Sequence, residues 1–217
     1  MNSISITITA FACFAVIHSL TVSLSFKKRL ASLTGLTWMR AYYRLLFTIF
    51  SVIITVSAAY VIFTQPDTQA DLLIWRPSMP LEIACRTVQL AGVAIMLAAF
   101  GPFDLGYFTG LRQALTYIET GRTGGDIEGL EDNVLVTGGI YGLVRHPMYL
   151  GGILVFFFEP YINLNSLALR MLAVFYFICG ALIEDRRLIA QFGGPFLEYK
   201  SRVPMFNIIK RLPSFLS

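Results

Sequence analysis

Long apolar runs separated by short basic segments constrain this chain more than any other feature of its sequence. A helix needs about 20 apolar residues to cross the hydrocarbon core of a bilayer. Hydrophobic residues make up 56% of the 217-residue chain and charged residues 14%, whereas a soluble domain usually has about 45–50% and about 25%. We therefore predict an all-α, polytopic membrane protein with about five transmembrane helices. Their predicted ranges are 4–26, 43–64, 81–100, 148–161 and 167–183.

Lysine and arginine are distributed unevenly between the connecting segments. The 27–44 loop, the 104–145 section and the C-terminal tail are rich in both, whereas the 65–80 loop has one arginine and the 162–166 turn has no charge. Because positive residues favour the cytoplasmic side, we predict an N-terminus outside and a C-terminus in the cytoplasm. Anionic lipids on that side account for the formal net charge of +4, so no nucleic-acid partner is required.

The spans and loops predict a single membrane domain over residues 1–217. The run at 148–161 is short for a span, so we expect its helix to begin within the glycine-rich stretch that precedes it. The predicted parts are three N-terminal spans in 1–103, a cytoplasmic section in 104–146, a helical hairpin in 147–187 and an amphipathic tail in 188–217.

Cysteine and histidine are too few, and too widely spaced, to predict a metal or disulfide framework. Cys13, Cys85 and Cys179 lie inside apolar runs, and an odd number of thiols without paired spacing is typical of apolar packing. The chain has two histidines, and no ligand spacing of a known type surrounds them. We predict no metal site.

The stretch 135–152, LVTGGIYGLVRHPMYLGG, concentrates unusual chemistry between apolar runs. Its glycines let backbone approach a ligand closely, and Tyr141 and Tyr149 can stack on or hydrogen-bond to a planar heterocycle. His146 and Pro147 are typical of a loop that leads into the first turn of a helix, where free N–H groups bind anionic groups. The alternative is a polar loop with turn glycines and a structural histidine.

Two further groups are candidates for chemistry. Glu184 and Asp185 follow an apolar run and suit recognition of a cation or of ribose hydroxyls; alternatively, they mark the end of the span. Asp104 and Arg112 flank an aromatic segment that alternatively lies at the membrane interface. His18 in the first span is either a functional residue or part of a helix–helix hydrogen-bonding pair.

An ordered series of motifs in the C-terminal 40% of the chain resembles the isoprenylcysteine carboxyl methyltransferase superfamily. These are integral membrane enzymes that use S-adenosylmethionine. The matching motifs are LVTGGIY at 135–141, RHPMY at 145–149, ED at 184–185, FG at 192–193, EY at 198–199 and RVP at 202–204.

The resemblance implies an all-helical membrane fold with a cytoplasmic-side cofactor pocket formed by the C-terminal half. The implied cofactor-binding residues are Asn133, Leu135, Val136, Tyr141, His146, Pro147, Tyr149, Glu184 and Asp185. Two positions depart from the family pattern. At the first, Asn133 stands where the family usually has histidine. At the second, Gly180 stands where the family has an arginine thought to hold a substrate carboxylate.

The N-terminal half resembles the nurim-like branch of the superfamily, which includes bacterial methanethiol S-methyltransferases. The resemblance rests on HS at 18–19, YRL at 43–45, GYFTGLRQ at 106–113 with Asp104 ahead of it, and RVPM at 202–205. It implies His18, Asp104 and Arg112 as substrate-side residues and a bacterial inner membrane as the location.

Methyl transfer from a sulfonium requires alignment more than covalent machinery, and a thiol acceptor must become a thiolate. His146 or His18 could accept that proton, or Arg145 or Arg112 could lower the thiol pKa. We predict that His146 and Arg145 are catalytic and that a small or lipophilic thiol is methylated. Carboxyl O-methylation, lipid N-methylation and a non-catalytic scaffold remain alternatives. Membrane lipid is an expected partner, and the sequence does not indicate an oligomeric state.

Overall fold

The computed structural model describes residues 3–64, 73–129 and 134–207, and most of these residues are helical. Trp75 and Ile162 form an isolated antiparallel bridge, and the described residues contain no longer strand. The helices are α1 Ser3–Val22, α2 Leu24–Thr34, α3 Leu36–Trp38, α4 Arg44–Phe63, α5 Met79–Ala99, α6 Leu105–Thr109, α7 Leu111–Thr120, α8 Pro147–Phe157, α9 Leu164–Phe192 and α10 Gly194–Arg202.

Four described helices are long and apolar enough to cross a membrane, which confirms the predicted all-α membrane class. The second of them is continuous, because a π-helical turn at Met39–Tyr43 joins α3 to α4. The four candidate spans are Ser3–Val22, Leu36–Phe63, Met79–Ala99 and Leu164–Phe192.

The predicted span at 148–161 is instead a short helix. α8 has 11 residues, about 16 Å at 1.5 Å per residue, whereas the hydrocarbon core is about 30 Å thick. It begins at Pro147, inside the glycine-rich stretch 135–152, as predicted. Proline fits the first helical turn because its missing N–H would have no intrahelical partner there. The structure therefore has four long spans and one short apolar helix where we predicted five spans.

The last span extends further than its apolar run. Asn163 and Ser166 form a reciprocal capping box at its N-terminus, and α9 then continues for 29 residues to Phe192. The acidic and basic residues at 184–187 lie within this helix and not at its end. The sequence predicts that the polar residues at 184–187 end the span. The hydrophobic run ends there, but the helix continues to Phe192.

The chain divides into two compact units. Of the described residues, the first unit contains 5–64, 103–129 and 134, and the second contains 3–4, 73–102 and 135–207. In the second unit α8 packs against both α5 and α9. The carbonyl oxygen of Gly151 lies 2.8 Å from the position that a Cβ on Gly92 would take, so α5 and α8 approach closely. Helix α8 is therefore held between α5 and α9.

Candidate functional site

The Asp185 carboxylate is the centre of a buried ionic cluster in the second unit. Its Oδ2 lies 3.0 Å from Arg145 Nη2 and 3.0 Å from Lys200 Nζ, and its Oδ1 lies 2.7 Å from His146 Nε2. The Asp185 side chain is 4% exposed. A buried carboxylate is costly unless it is paired and hydrogen-bonded, and three cationic or polar partners meet that need here.

Arg145 joins the glycine-rich stretch to the C-terminal chain. Its Nη1 donates to the backbone carbonyls of Lys200, at 3.0 Å, and Val203, at 2.6 Å. Its backbone N–H donates to the carbonyl of Pro204 at 3.0 Å. The last carbonyl groups of a helix have no intrahelical donor, and the Arg145 guanidinium supplies donors to carbonyls at the end of α10. Arg145 was predicted to lower the pKa of the thiol; its Nη1 and Nη2 both bond to the protein, and its catalytic role stays a prediction.

His146 precedes the first residue of α8, and Asp185 orients its ring. An ionised carboxylate only accepts hydrogen bonds, so we assign a proton to Nε2 of His146. The ring centroid of His146 lies 5.7 Å from that of Tyr149.

Glu184 precedes Asp185 in sequence but has different neighbours. Its side chain is 32% exposed and lies 3.6 Å from Arg187 Nη2. Its carboxylate is near the hydroxyl of Tyr149. The Asp185 carboxylate is thus paired with cationic side chains of the protein, whereas the Glu184 side chain remains partly exposed to solvent.

An open cleft of about 600 Å³ lies along the first part of the glycine-rich stretch. This volume is within the usual range of small-molecule sites. A Cβ built on Gly138 or Gly139 would meet no heavy atom within 4 Å, so the backbone there is open to the cleft. The lining residues are Ala98, Gly101, Pro102, Leu135, Val136, Thr137, Gly138, Gly139 and Ile140.

Two tyrosines connect this cleft to the surrounding helices. The hydroxyl of Tyr141, the residue after the cleft lining, donates to the carbonyl of Ala99 at 3.3 Å. The hydroxyl of Tyr199 donates to the carbonyl of Tyr141 at 2.7 Å. Burial, with a smaller contribution from the Glu184 charge, raises the pKa of Tyr141 to about 12, and burial also raises the pKa of Tyr199. Both hydroxyls therefore remain donors at neutral pH.

Part of the tail predicted to be amphipathic forms α10, which packs against the cleft residue Leu135. Its apolar side chains Phe196, Tyr199 and Val203 are buried in one cluster, and Leu135 from the cleft packs against it. The same cluster includes side chains from the last turns of α9. Leu135 therefore connects the cleft to a packed hydrophobic core.

The predicted cofactor residues fall mostly in one region. Leu135 and Val136 line the cleft, Tyr141 follows it, and Pro147 starts the helix that carries Tyr149. Asn133 lies outside the described residues. Lys200 was not predicted as a site residue, because the sequence indicated only a basic tail around it.

The predicted substrate residues belong to the first unit. Asp104 caps α6 by accepting hydrogen bonds from the N–H groups of Gly106 and Tyr107, and its Oδ2 lies 3.0 Å from Arg112 Nη1. His18 lies between the rings of Phe14 and Phe47, with both centroid distances 5.6 Å. Asp104 and Arg112 are thus brought together as a partly exposed ion pair, and their role in acceptor binding stays a prediction.

The first unit also contains a buried ionic cluster that the sequence did not reveal. Glu128 pairs with Lys27 and with Arg44, whose Nη1 lies 3.0 Å from Glu128 Oε2. Burial opposes ionisation, but the two cations outweigh it and hold the pKa of Glu128 below its ordinary value. Lys27 and Arg44 were recognised only as basic residues flanking spans, and Glu128 only as one acid in a polar segment.

The fold defines an integral membrane protein, and its second unit contains an open cleft. The family model described as NnrU protein matches residues 6–157, more than two thirds of the sequence. The chain belongs to this family. The match and the relatives described next confirm the predicted nurim-like branch of the isoprenylcysteine carboxyl methyltransferase superfamily.

Similar proteins carry methyltransferase names. Methanethiol S-methyltransferase 2 of Bradyrhizobium diazoefficiens is 27% identical over 204 residues, which cover 94% of this chain and 73% of that protein. Methanethiol S-methyltransferase of Pseudomonas deceptionensis is 26% identical over 195 residues, 88% of this chain and 68% of that protein. No solved structure matches the chain. These relatives support the prediction of a membrane methyltransferase.

Proposed function

We propose that this chain is an S-adenosylmethionine-dependent methyltransferase of the bacterial inner membrane that methylates a small or lipophilic thiol such as methanethiol. The observation that carries the proposal is the open cleft along residues 135–140, in the unit that also holds the His146–Asp185 pair. The names of the similar proteins support a thiol as the acceptor. The basic segments favour a cofactor pocket on the cytoplasmic side, with the N-terminus outside.

The residues around the cleft fit the cofactor. Gly138 and Gly139 leave their backbone open to the cleft, so a planar or polar group can approach it closely. Glu184 supplies an accessible carboxylate, which suits a cationic amino group or ribose hydroxyls. When bound, S-adenosylmethionine supplies an electrophilic methyl group for displacement by an aligned nucleophile.

His146 is the residue best placed to accept the proton of a thiol. Asp185 accepts from its Nε2–H at 2.7 Å and so fixes the ring and its tautomer. The free Nδ1 then takes the proton, and the thiolate becomes the nucleophile. Arg145 and Lys200 balance the charge of Asp185, so Asp185 itself remains ionised while His146 changes its protonation state.

Cofactor binding by the detergent-purified protein is the direct test. Replacing Gly138 with valine places a side chain in the open cleft without strain, because the backbone of Gly138 is extended. We expect Gly138→Val to weaken S-adenosylmethionine binding about tenfold or more in isothermal titration calorimetry, which corresponds to about 1.4 kcal/mol.

Gly194 provides the matched control. A Cβ there also meets no heavy atom within 4 Å, but Gly194 begins α10 and does not line the cleft. Gly194→Val should bind S-adenosylmethionine as the wild type does. Absence of binding by the wild type would refute the proposed cofactor, and equal affinities of wild type and Gly138→Val would refute the cleft as its site.

A further inference from the structure

The interface between α8 and α9 contains two aromatic–glycine contacts that mirror each other. The ring of Tyr149 on α8 lies against Gly180 on α9, and the ring of Phe177 on α9 lies against Gly152 on α8. The two rings also contact each other edge to face, with centroids 6.3 Å apart. On each helix the ring and the glycine are three residues apart, so they share one face.

Both glycines are sterically required for these contacts. A Cβ on Gly180 would lie 2.8 Å from Tyr149 Cε1, and a Cβ on Gly152 would lie 2.6 Å from Phe177 Cζ. Carbon atoms in non-bonded contact prefer about 3.5–4.0 Å. Any side chain at either position therefore displaces the opposing ring, because the helix backbone behind each glycine is fixed by its own hydrogen bonds.

Only one of the two contacts leads to the proposed cofactor residues. The Tyr149 hydroxyl oxygen lies 3.5 Å from the position of a Cβ on Gly180, and Glu184 is one helical turn beyond Gly180 on the same face of α9. The Glu184 charge also reaches Tyr141, the residue directly after the cleft lining. Phe177 has no polar atom, and its ring contacts are with Tyr149, Phe156 and Tyr176.

We propose that Gly180 is a positioning residue for the methyl donor: the space it leaves admits the Tyr149 ring, whose hydroxyl then orients Glu184 toward the cationic end of the donor. This inference rests on the proposed function. The Gly152–Phe177 contact, in contrast, sets the packing of the two helices and does not orient a ligand group.

A double-mutant cycle tests this assignment by calorimetric affinity for S-adenosylmethionine, with thermal unfolding measured in parallel. Gly180→Ala should weaken binding about tenfold, and Tyr149→Phe should weaken it similarly because the hydroxyl is lost. The double variant should bind no more weakly than either single variant, since both changes remove the same contact to Glu184.

Gly152→Ala is the control within the same interface. It creates a closer clash with an aromatic ring than Gly180→Ala does, so it should lower the unfolding temperature, but it should leave the affinity within about twofold of the wild type. If Gly180→Ala does not fold, Tyr149→Leu provides room for the added methyl group. The pair Gly180→Ala/Tyr149→Leu should then match Tyr149→Leu alone in affinity.

Three results would overturn the inference, and they differ from failure of the proposed function. Equal loss of affinity in Gly152→Ala and Gly180→Ala would mean that both glycines act through packing alone. Additive losses in the cycle, or an unchanged affinity in Gly180→Ala, would mean that Gly180 does not act through Tyr149. No binding by the wild type would refute the proposed function first, and this inference with it.

Discussion

Glu184 and Asp185 are adjacent on α9, yet their carboxylates have different partners. Successive residues on a helix point about 100° apart, so one carboxylate enters the cluster of Arg145, His146 and Lys200 while the other meets Tyr149. The sequence predicted both as cofactor-binding residues. The structure indicates that Asp185 orients His146, whereas Glu184 keeps an accessible face.

The buried cluster around Glu128 makes a specific prediction about stability and pH. Breaking a buried ion pair usually costs about 3–5 kcal/mol because a charge is left without a partner. We therefore expect Glu128→Gln to lower the stability of the purified protein at neutral pH by about that amount. Glu198→Gln is the control, because Glu198 is 71% exposed and pairs with Arg202 on the surface of α10; it should cost less than about 1 kcal/mol.

The stability difference between the wild type and Glu128→Gln should depend on pH with a defined sign. The pKa of Glu128 is lower in the folded state than in the unfolded chain. Its contribution is therefore complete above the ordinary glutamate pKa of about 4.3 and is lost as the pH falls through the folded value. The stability difference between wild type and Glu128→Gln, measured by thermal unfolding, should shrink below about pH 4. A difference that grows in acid would contradict this assignment.

At the scale of elements, α10 is held to the glycine-rich stretch by Arg145 and Tyr199. Hydrogen bonds to charged groups contribute about 1.5–3 kcal/mol each. Arg145→Lys keeps a positive charge near Asp185 but cannot reach it and the carbonyls of Lys200 and Val203 together. We expect hydrogen exchange of the α10 amides to accelerate about tenfold or more in this variant.

Arg202→Lys is the matched control for that measurement. Arg202 is the last residue of α10 and is largely exposed, and its partner Glu198 is also on the surface. Its replacement should leave the exchange of α10 close to that of the wild type. Unchanged exchange in Arg145→Lys would show that α10 is held by its hydrophobic cluster alone.

The element boundaries show what a single sequence can predict. The first and third of the four long spans start and end within a few residues of their apolar runs, because hydrophobic length determines them. The second begins earlier, at Leu36, because a π-helical turn joins α3 to α4. Helix α9 continues beyond its apolar run because Leu188, Ile189 and Phe192 pack against α10, and that contact depends on tertiary structure. The short helix α8 does start where the sequence predicted, because Pro147 after His146 is typical of a first helical turn.

At the scale of the whole molecule, the described residues predicted to bind cofactor belong to the second unit, and those predicted to bind substrate belong to the first. Motif order along the chain was sufficient to predict the cleft residues Leu135 and Val136. Pairings between distant residues were not predictable: Lys27 and Glu128 are 101 positions apart, and neither stands in a motif. Charge complementarity becomes visible only once the fold brings such residues together.

Transfer of a labelled methyl group tests the central claim most directly. The purified protein in lipid nanodiscs is given S-adenosylmethionine with a labelled methyl group, together with methanethiol, a prenylcysteine analogue or phosphatidylethanolamine in separate reactions. We expect label in the thioether from methanethiol, and loss of most of that transfer in His146→Ala, whose Asp185 partner remains. Label on the prenylcysteine carboxylate or the lipid amine, or no transfer to any acceptor, would contradict the proposed thiol methyltransferase.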